Sequence, residues 1–169
     1  MNLEFVIELL DKNHKRDNFD CGEESLNIFL KQFARQNSEK GFGRTFVAVL
    51  PDESKVLGYY TISSGSVAFD IVPAKLPRYP IPTAHIGRLA TDLSMRGQRL
   101  GELLLIDALS RIVLIADDLG IYAVELFALT DKANQFYLKY GFVELGDDDK
   151  HLYLPIATLK KSSLVIPDK

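Results

Sequence analysis

The stretch from Leu100 to Leu129 does most to fix the fold class. Its first part, Leu100–Asp118, carries an apolar stripe at helical spacing and stops before Gly120. Its second part, Ile121–Leu129, is a nearly continuous apolar run of strand length, the pattern of a strand covered on both faces. A long helix feeding a doubly covered strand calls for helices packed on a sheet.

The rest of the chain extends that arrangement. Residues 3–10 are an apolar-rich run suited to a first strand, ended by the polar stretch Asp11–Asp20. From Glu23, the residues Leu26, Phe29, Leu30 and Phe33 recur at helical spacing, so 23–39 reads as an amphipathic helix stopped by Gly41 and Gly43. Arg44–Leu50 and Val56–Ser64 are β-branched and aromatic and read as a hairpin across Pro51–Lys55. Pro73, Pro77, Pro80 and Pro82 exclude helix and central strand, leaving an ordered extended loop before strand character resumes over Thr83–Thr91. Asp131–Tyr140 reads as a short helix capped by Asp131 and closed by Gly141. Phe142–Leu145 and His151–Ile156 pair as a last hairpin across an acidic turn. The order β-α-β-β-β-α-β-α-β-β makes one α/β (α+β) domain over residues 1–169, with a core over 3–156 and a tail over 157–169.

Composition narrows the function classes. A chain of 169 residues is one domain's length and can bury roughly 70% of its unfolded surface. Its 20 Lys and Arg against 23 Asp and Glu give a net charge of −3, which argues against a binder of polyanions through a wholly basic surface. Local basic groups remain at Lys12–Lys15–Arg16, Lys31–Arg35, Lys40–Arg44 and Arg96–Arg99. No apolar run approaches the ~18 residues of a membrane span. Met1–Leu10 holds Glu4 and Glu8 and no basic segment, so no secretory signal is expected. Cys21, the single cysteine, cannot form an internal disulfide, which points to reducing cytoplasm. No His–Asx pattern accompanies it, so it reads as an ordinary small side chain.

The chemistry-bearing segment is the strand His85–Asp92, the loop Leu93–Gln98 and the helix from Arg99. A helix start offers unpaired N–H groups and partial positive charge, so it binds phosphate. Gly97 and Gly101 let the backbone approach a ligand, and Arg96 and Arg99 add charge. The run RGQRLG lacks the Gly-Lys-Ser/Thr of a P-loop and the G-x-G-x-x-G of a dinucleotide site. Further on, Ala133, Phe136, Tyr137 and Tyr140 lie on neighbouring helical turns. As ordinary residues, both tyrosines would pack half-buried with their hydroxyls at the surface. His14, His85 and His151 are far apart and show no metal-ligand spacing, so no metal is expected. Glu125 and Asp92 are candidate carboxylate bases, but Glu125 alternates within a strand and reads equally well as salt-bridged. Asp147–Asp149 reads as a solvated turn. No general base is assigned.

Together, IGRLATDLSMRGQRLGELLLIDAL and FALTDKANQFYLKYGF resemble the two central motifs of the GCN5-related N-acetyltransferase (GNAT) superfamily. That signature is Arg/Gln-x-x-Gly-x-Gly/Ala at the start of the helix after the fourth strand. Here it reads Arg96-Gly97-Gln98-Arg99-Leu100-Gly101, with Arg99 in place of the first signature glycine. The resemblance is close over 44–156 and looser before that. It implies a mixed, mostly antiparallel sheet flanked by helices, with acetyl-CoA as co-substrate. The backbone N–H groups of Arg96, Gly97, Gln98, Arg99, Leu100 and Gly101 would hold the pyrophosphate. Main-chain groups of Leu89, Ala90 and Thr91 would hydrogen-bond the pantetheine arm like an added strand. Tyr137, four residues before Gly141-Phe142, would protonate the departing thiolate, while Tyr140 packs.

A narrower similarity lies in FDCGEESLNIFLKQFARQN, GRTFVAV, VLGYYTISSGSV and LPRYPIP, which look like the GNAT toxins of bacterial toxin–antitoxin pairs. Thr130, where many other GNAT proteins carry Asn, also suits that group. Such toxins acetylate the α-amine of aminoacyl-tRNA, pair with ribbon-helix-helix antitoxins and are usually homodimers. Holding tRNA would draw on Lys31 and Arg35, which share a helix face at i, i+4, on Arg78 in the proline loop, and on Arg88 in the fourth strand. Singly, each also reads as a solubilising charge or an ion-pair member. Two other readings stand beside this one. One is a GNAT enzyme for a small amine or peptide N-terminus, with the proline loop walling its pocket. The other is a non-catalytic acyl-CoA-binding module.

Overall fold

The structure is a computed structural model and describes residues 3–162. Its strands are β1 (Val6–Leu9), β2 (Arg44–Val49), β3 (Gly58–Val67), β4 (Ile81–Thr91), β5 (Ala123–Phe127), β6 (Val143–Glu144) and β7 (His151–Pro155). Its helices are α1 (Glu24–Ile28), α2 (Ala34–Glu39), α3 (Leu100–Ala116), α4 (Asp131–Lys139) and α5 (Ile156–Lys160). The strands form one seven-stranded mixed sheet in the order β1-β2-β3-β4-β5-β7-β6. The β1–β2, β2–β3, β5–β7 and β6–β7 pairs are antiparallel, while β5 joins β4 in parallel through Thr83–His85. The expected element order therefore holds, with α5 added at its end.

The chain forms two compact units, one from Gly87–Ala108 and the residues up to Ser63, the other from Ser64–Ile86 and the residues from Leu109 onward. In the first, Phe19, Phe29, Leu30, Ala34, Val47 and Tyr59 make a buried cluster. The expected single helix over 23–39 is interrupted there by a π-helical turn at Phe29–Phe33. The wider turn rotates the helix beyond it, so Ala34 is fully buried while Phe33, read as part of the apolar stripe, is 49% exposed. The Leu30 carbonyl takes a hydrogen bond from Arg16 Nη1 at 3.0 Å.

In the second unit, Val67, Val72, Ile81, Ala123, Leu145 and Tyr153 are buried together, with Phe69, Ile71 and Leu76 packed against them. That packing orders the proline-rich passage, and Gly146 N donates to the Ile71 carbonyl at 2.8 Å. Two local readings are corrected here. Strand β4 begins at Ile81, so Pro82 lies inside it, near the strand's start where a missing N–H is tolerated. Helix α4 is capped by Thr130, not Asp131: Thr130 has extended backbone and its hydroxyl accepts from Ala133 N at 3.1 Å. Asp131 comes next, in the first turn, where its charge suits the helix start. Part of the expected tail is ordered as α5, which buries Ile156 and Leu159; residues 163–169 lie outside those described.

Candidate active site

The loop between β4 and α3 is pinned from within its own unit. Asp92 is buried and spends its carboxylate on structure, accepting from Asp20 N at 3.0 Å, Ser94 N at 3.0 Å and Ser94 Oγ at 2.6 Å. Burial works to raise its pKa, but the hydrogen bonds from Ser94 and Asp20 outweigh it and hold the carboxyl below its ordinary value. A second tie runs from Leu93 N to the Asp20 carbonyl at 2.8 Å. With its oxygens so occupied, Asp92 is a poor base.

Beyond that anchor the backbone turns left-handed twice, at Gly97 (φ +79°) and at Arg99 (φ +59°). Arg99 thus adopts the conformation that the signature glycine would favour, and its side chain reaches Glu102 at 3.2 Å. The N–H groups of Arg96 and Gln98 are engaged with the Leu93 and Met95 carbonyls at 3.4 and 3.1 Å. Leu100 and Gly101 open the helix, where N–H groups have no intrahelical partner. A groove of about 370 Å³ lies beside the loop, lined by Gly97, Gln98 and Arg99 and by the apolar Leu3, Phe5 and Leu103. Gly58 keeps α3 close to the strands: a Cβ there would meet Leu104 Cδ1 at 2.9 Å and the Ala90 carbonyl at 3.2 Å.

Tyr137 sits on α4 with its ring buried edge-on against Phe136 and Phe142, at centroid distances of 5.2 and 5.6 Å. Burial pushes the phenol's pKa above its ordinary value of 10, so the hydroxyl is protonated at neutral pH. Tyr140 is half-buried against Phe136, with Lys139 Nζ 5.6 Å from its ring centre.

Three residues that sequence spacing left apart converge in the second unit. Glu125, buried on β5, sets one carboxylate oxygen against His85 Nδ1 and the other 2.6 Å from His151 Nε2. His151 Nδ1 in turn lies 2.9 Å from Asp147, and its ring stacks on Phe127 at 3.8 Å. Burial works to raise the Glu125 carboxyl, yet hydrogen bonds and charge from the two imidazoles prevail and its pKa falls below the ordinary 4.5. The salt-bridged reading of Glu125 is therefore right, whereas Asp147 is more than a solvated turn residue. The sequence signal was a polar residue set in each of three apolar strands, visible singly but not as a cluster. Among the described residues, no group of three or more His, Cys, Asp or Glu side chains is arranged to hold a metal ion.

The candidate tRNA-binding cations differ in their surroundings. Lys31 is half-buried within the π turn, and Arg35 pairs with Glu39 at 3.4 Å. Arg88 lies 3.6 Å over the Phe29 ring, where burial lowers the guanidinium's pKa. Arg78, in the other unit, is exposed and lies 5.6 Å from the Phe69 ring centre.

A left-handed, pinned loop opens the long helix α3, and a protonated tyrosine stands on the later short helix α4. The sequence matches the acetyltransferase (GNAT) domain family over residues 18–162, and the chain belongs to that family. It is 37% identical over 139 residues to the tRNA-acetylating toxin of Mycobacterium tuberculosis, spanning 80% of this chain and 82% of that one. It is 34% identical over 168 residues to the "Probable toxin TacT" of Sinorhizobium fredii, spanning 92% and 93% of the two chains. Among solved structures, AtaT complexed with acetyl-methionyl-tRNAfMet superposes with a TM-score of 0.88 at 30% identity, covering 94% of this chain and 98% of that one. A mutant AtaT toxin bound to the C-terminus of the antitoxin AtaR and acetyl-CoA gives a TM-score of 0.82 at 29% identity, covering 93% and 96%.

Proposed function

We propose that this chain transfers the acetyl group of acetyl-CoA to the α-amine of aminoacyl-tRNA, acting as a translation-blocking toxin. The observation that carries this is similarity over 80% of the chain to a tRNA-acetylating toxin and over 94% of it to AtaT solved with acetyl-methionyl-tRNAfMet. The local chemistry supports it. The pyrophosphate takes the N–H groups of Gly97, Arg99, Leu100 and Gly101 foremost, since those of Arg96 and Gln98 already serve the turn. The exposed side chains of Arg96, Gln98 and Arg99 add polar and charged contact. Main-chain groups of Leu89, Ala90 and Thr91 hold the pantetheine arm as an added strand would. The amine attacks the thioester carbon, and Tyr137 gives its proton to sulfur as the C–S bond breaks. An aminoacyl ester lowers the pKa of its α-amine, so a fraction is neutral at physiological pH. Lys31, Arg35, Arg78 and Arg88 make the tRNA contact on this reading, against a net charge of −3.

The whole chain acts as one acetyltransferase domain in the cytoplasm, works as a homodimer and is neutralised by a ribbon-helix-helix antitoxin. The deciding experiment incubates the protein with labelled acetyl-CoA, charged tRNA, polyamines and peptides. Label on charged tRNA alone supports the toxin reading. Label on a small amine or peptide N-terminus instead selects the other enzyme, and bound acetyl-CoA with no transfer selects the binding module.

A further inference from the structure

We propose that His85 takes the proton from the acceptor amine, held by Glu125 in its proton-accepting tautomer. The proposal rests on the acetyl-transfer reading above and supplies the base that reading lacks. When a neutral amine attacks the thioester, a C–N bond forms and the C–S bond breaks; the nitrogen must lose one proton and the sulfur must gain one. A protonated Tyr137 answers the sulfur's need and cannot answer the nitrogen's.

The three histidines differ in what their ring nitrogens do. In His14, Nδ1 accepts from Asp11 N at 3.0 Å and Nε2 lies 2.7 Å from Glu8. In His151 both nitrogens face carboxylates. His85 meets Glu125 through Nδ1, and its Nε2 has no partner among the described residues. An ionised Glu125 only accepts hydrogen bonds, so Nδ1 carries the hydrogen and the Nε2 of a neutral ring presents a lone pair. Exposure runs the same way: the His85 side chain is 30% exposed, against 6% for Glu125 and 6% for His151. It is one exposed end of a row of contacts whose middle members, Glu125 and His151, are buried and whose other end is the exposed Asp147.

Beside it is a second unused polar atom. Thr83 Oγ1, on the same strand, is buried without a hydrogen-bond partner. A Cβ at Gly65 would lie 2.9 Å from that oxygen and 3.4 Å from both His85 Cβ and Glu125 Oε1. Glycine at position 65 thus keeps a side chain from crowding Thr83, His85 and Glu125. In the step, His85 Nε2 accepts the amine proton as the C–N bond forms, and the imidazolium is stabilised by Glu125. Tyr137 protonates the sulfur. Afterwards the imidazolium releases its proton to water and the phenolate regains one.

The test compares wild type, His85→Gln and His85→Ala, each first shown to bind coenzyme A by calorimetry, in acetyl transfer to charged tRNA from pH 6 to 9. We expect His85→Gln to lower kcat by about 10²–10⁴-fold and to leave on the acid side of kcat/KM only the fall set by the substrate amine itself. Added imidazole should restore part of the rate to His85→Ala. A His85→Gln enzyme within threefold of wild type would overturn the proposal. So would a coenzyme-binding His85→Ala enzyme that imidazole does not rescue. If wild type labels no charged tRNA, the substrate reading fails separately, and the same series on whichever amine is labelled still decides the role of His85.

Discussion

Replacing Arg99 by glycine and, in a second protein, by alanine separates the cost of its backbone from the worth of its side chain. Both variants lose the exposed pair with Glu102, an interaction of about 0.3–0.5 kcal/mol at most, and both remove a positive charge from the positive end of α3. Those changes cancel when the variants are compared with each other. What remains is the left-handed backbone at φ +59°, which costs an L-residue about 1–2 kcal/mol and glycine nothing. Glycine gives back about 0.4–1 kcal/mol through the greater freedom of its unfolded chain. The glycine variant should therefore be the more stable of the two by about 0.5–1 kcal/mol. For a chain of this size that is a Tm higher by roughly 1–4 °C. Thermal melts of the two proteins at matched pH and salt measure the difference. An alanine variant that melts at or above the glycine variant would refute the claim that residue 99 is held left-handed.

Tyr137→Phe keeps the buried ring and removes only the proton donor, so turnover should fall about 10²–10⁴-fold while calorimetric affinity for coenzyme A stays within threefold. Gly58→Val forces side-chain atoms into Leu100, Leu104 and the Ala90 carbonyl; urea midpoints should report a loss of about 1–3 kcal/mol. Glu125 has a folded pKa below 4.5, so the unfolded chain takes up its proton first as the pH drops. Its stabilising contribution is whole above about pH 4.5 and disappears as pH falls through the folded value, so Glu125→Gln should flatten that acid limb in urea midpoints taken from pH 7 down to 3. Reversing Lys31, Arg35 and Arg78 to glutamate should raise the KM for charged tRNA and leave that for acetyl-CoA unchanged, as steady-state kinetics would show.

Much of this architecture was legible because local patterning and tertiary packing agree. The apolar stripe of α3, the covered strand β5 and the glycine-rich loop between β4 and α3 each sit where their periodicity places them. The misses share a cause, which is that packing chose between local options of similar propensity. A π turn at Phe29–Phe33 exchanges Phe33 for Ala34 in the core, and only the surroundings of the helix decide that. Thr130 and Asp131 are both good caps, and the extended backbone at Thr130 selects it. His85, Glu125 and His151 meet through pairing of β5 with β4 on one side and β7 on the other, so sequence distance gave no hint of their contact. Arg99 was the reverse case, a residue whose identity argued against a shape that the backbone nonetheless adopts.

The two ties between Asp20 and the Asp92–Leu93 corner carry a consequence for dissection of the chain. A fragment beginning at the first hairpin would contain every residue of both signature motifs. It would lack the amide and carbonyl that the early segment lends to the corner, so the letters of the motif would survive without their conformation. Substitutions near Asp20 should accordingly surface as changes in coenzyme affinity, although that segment carries none of the motif.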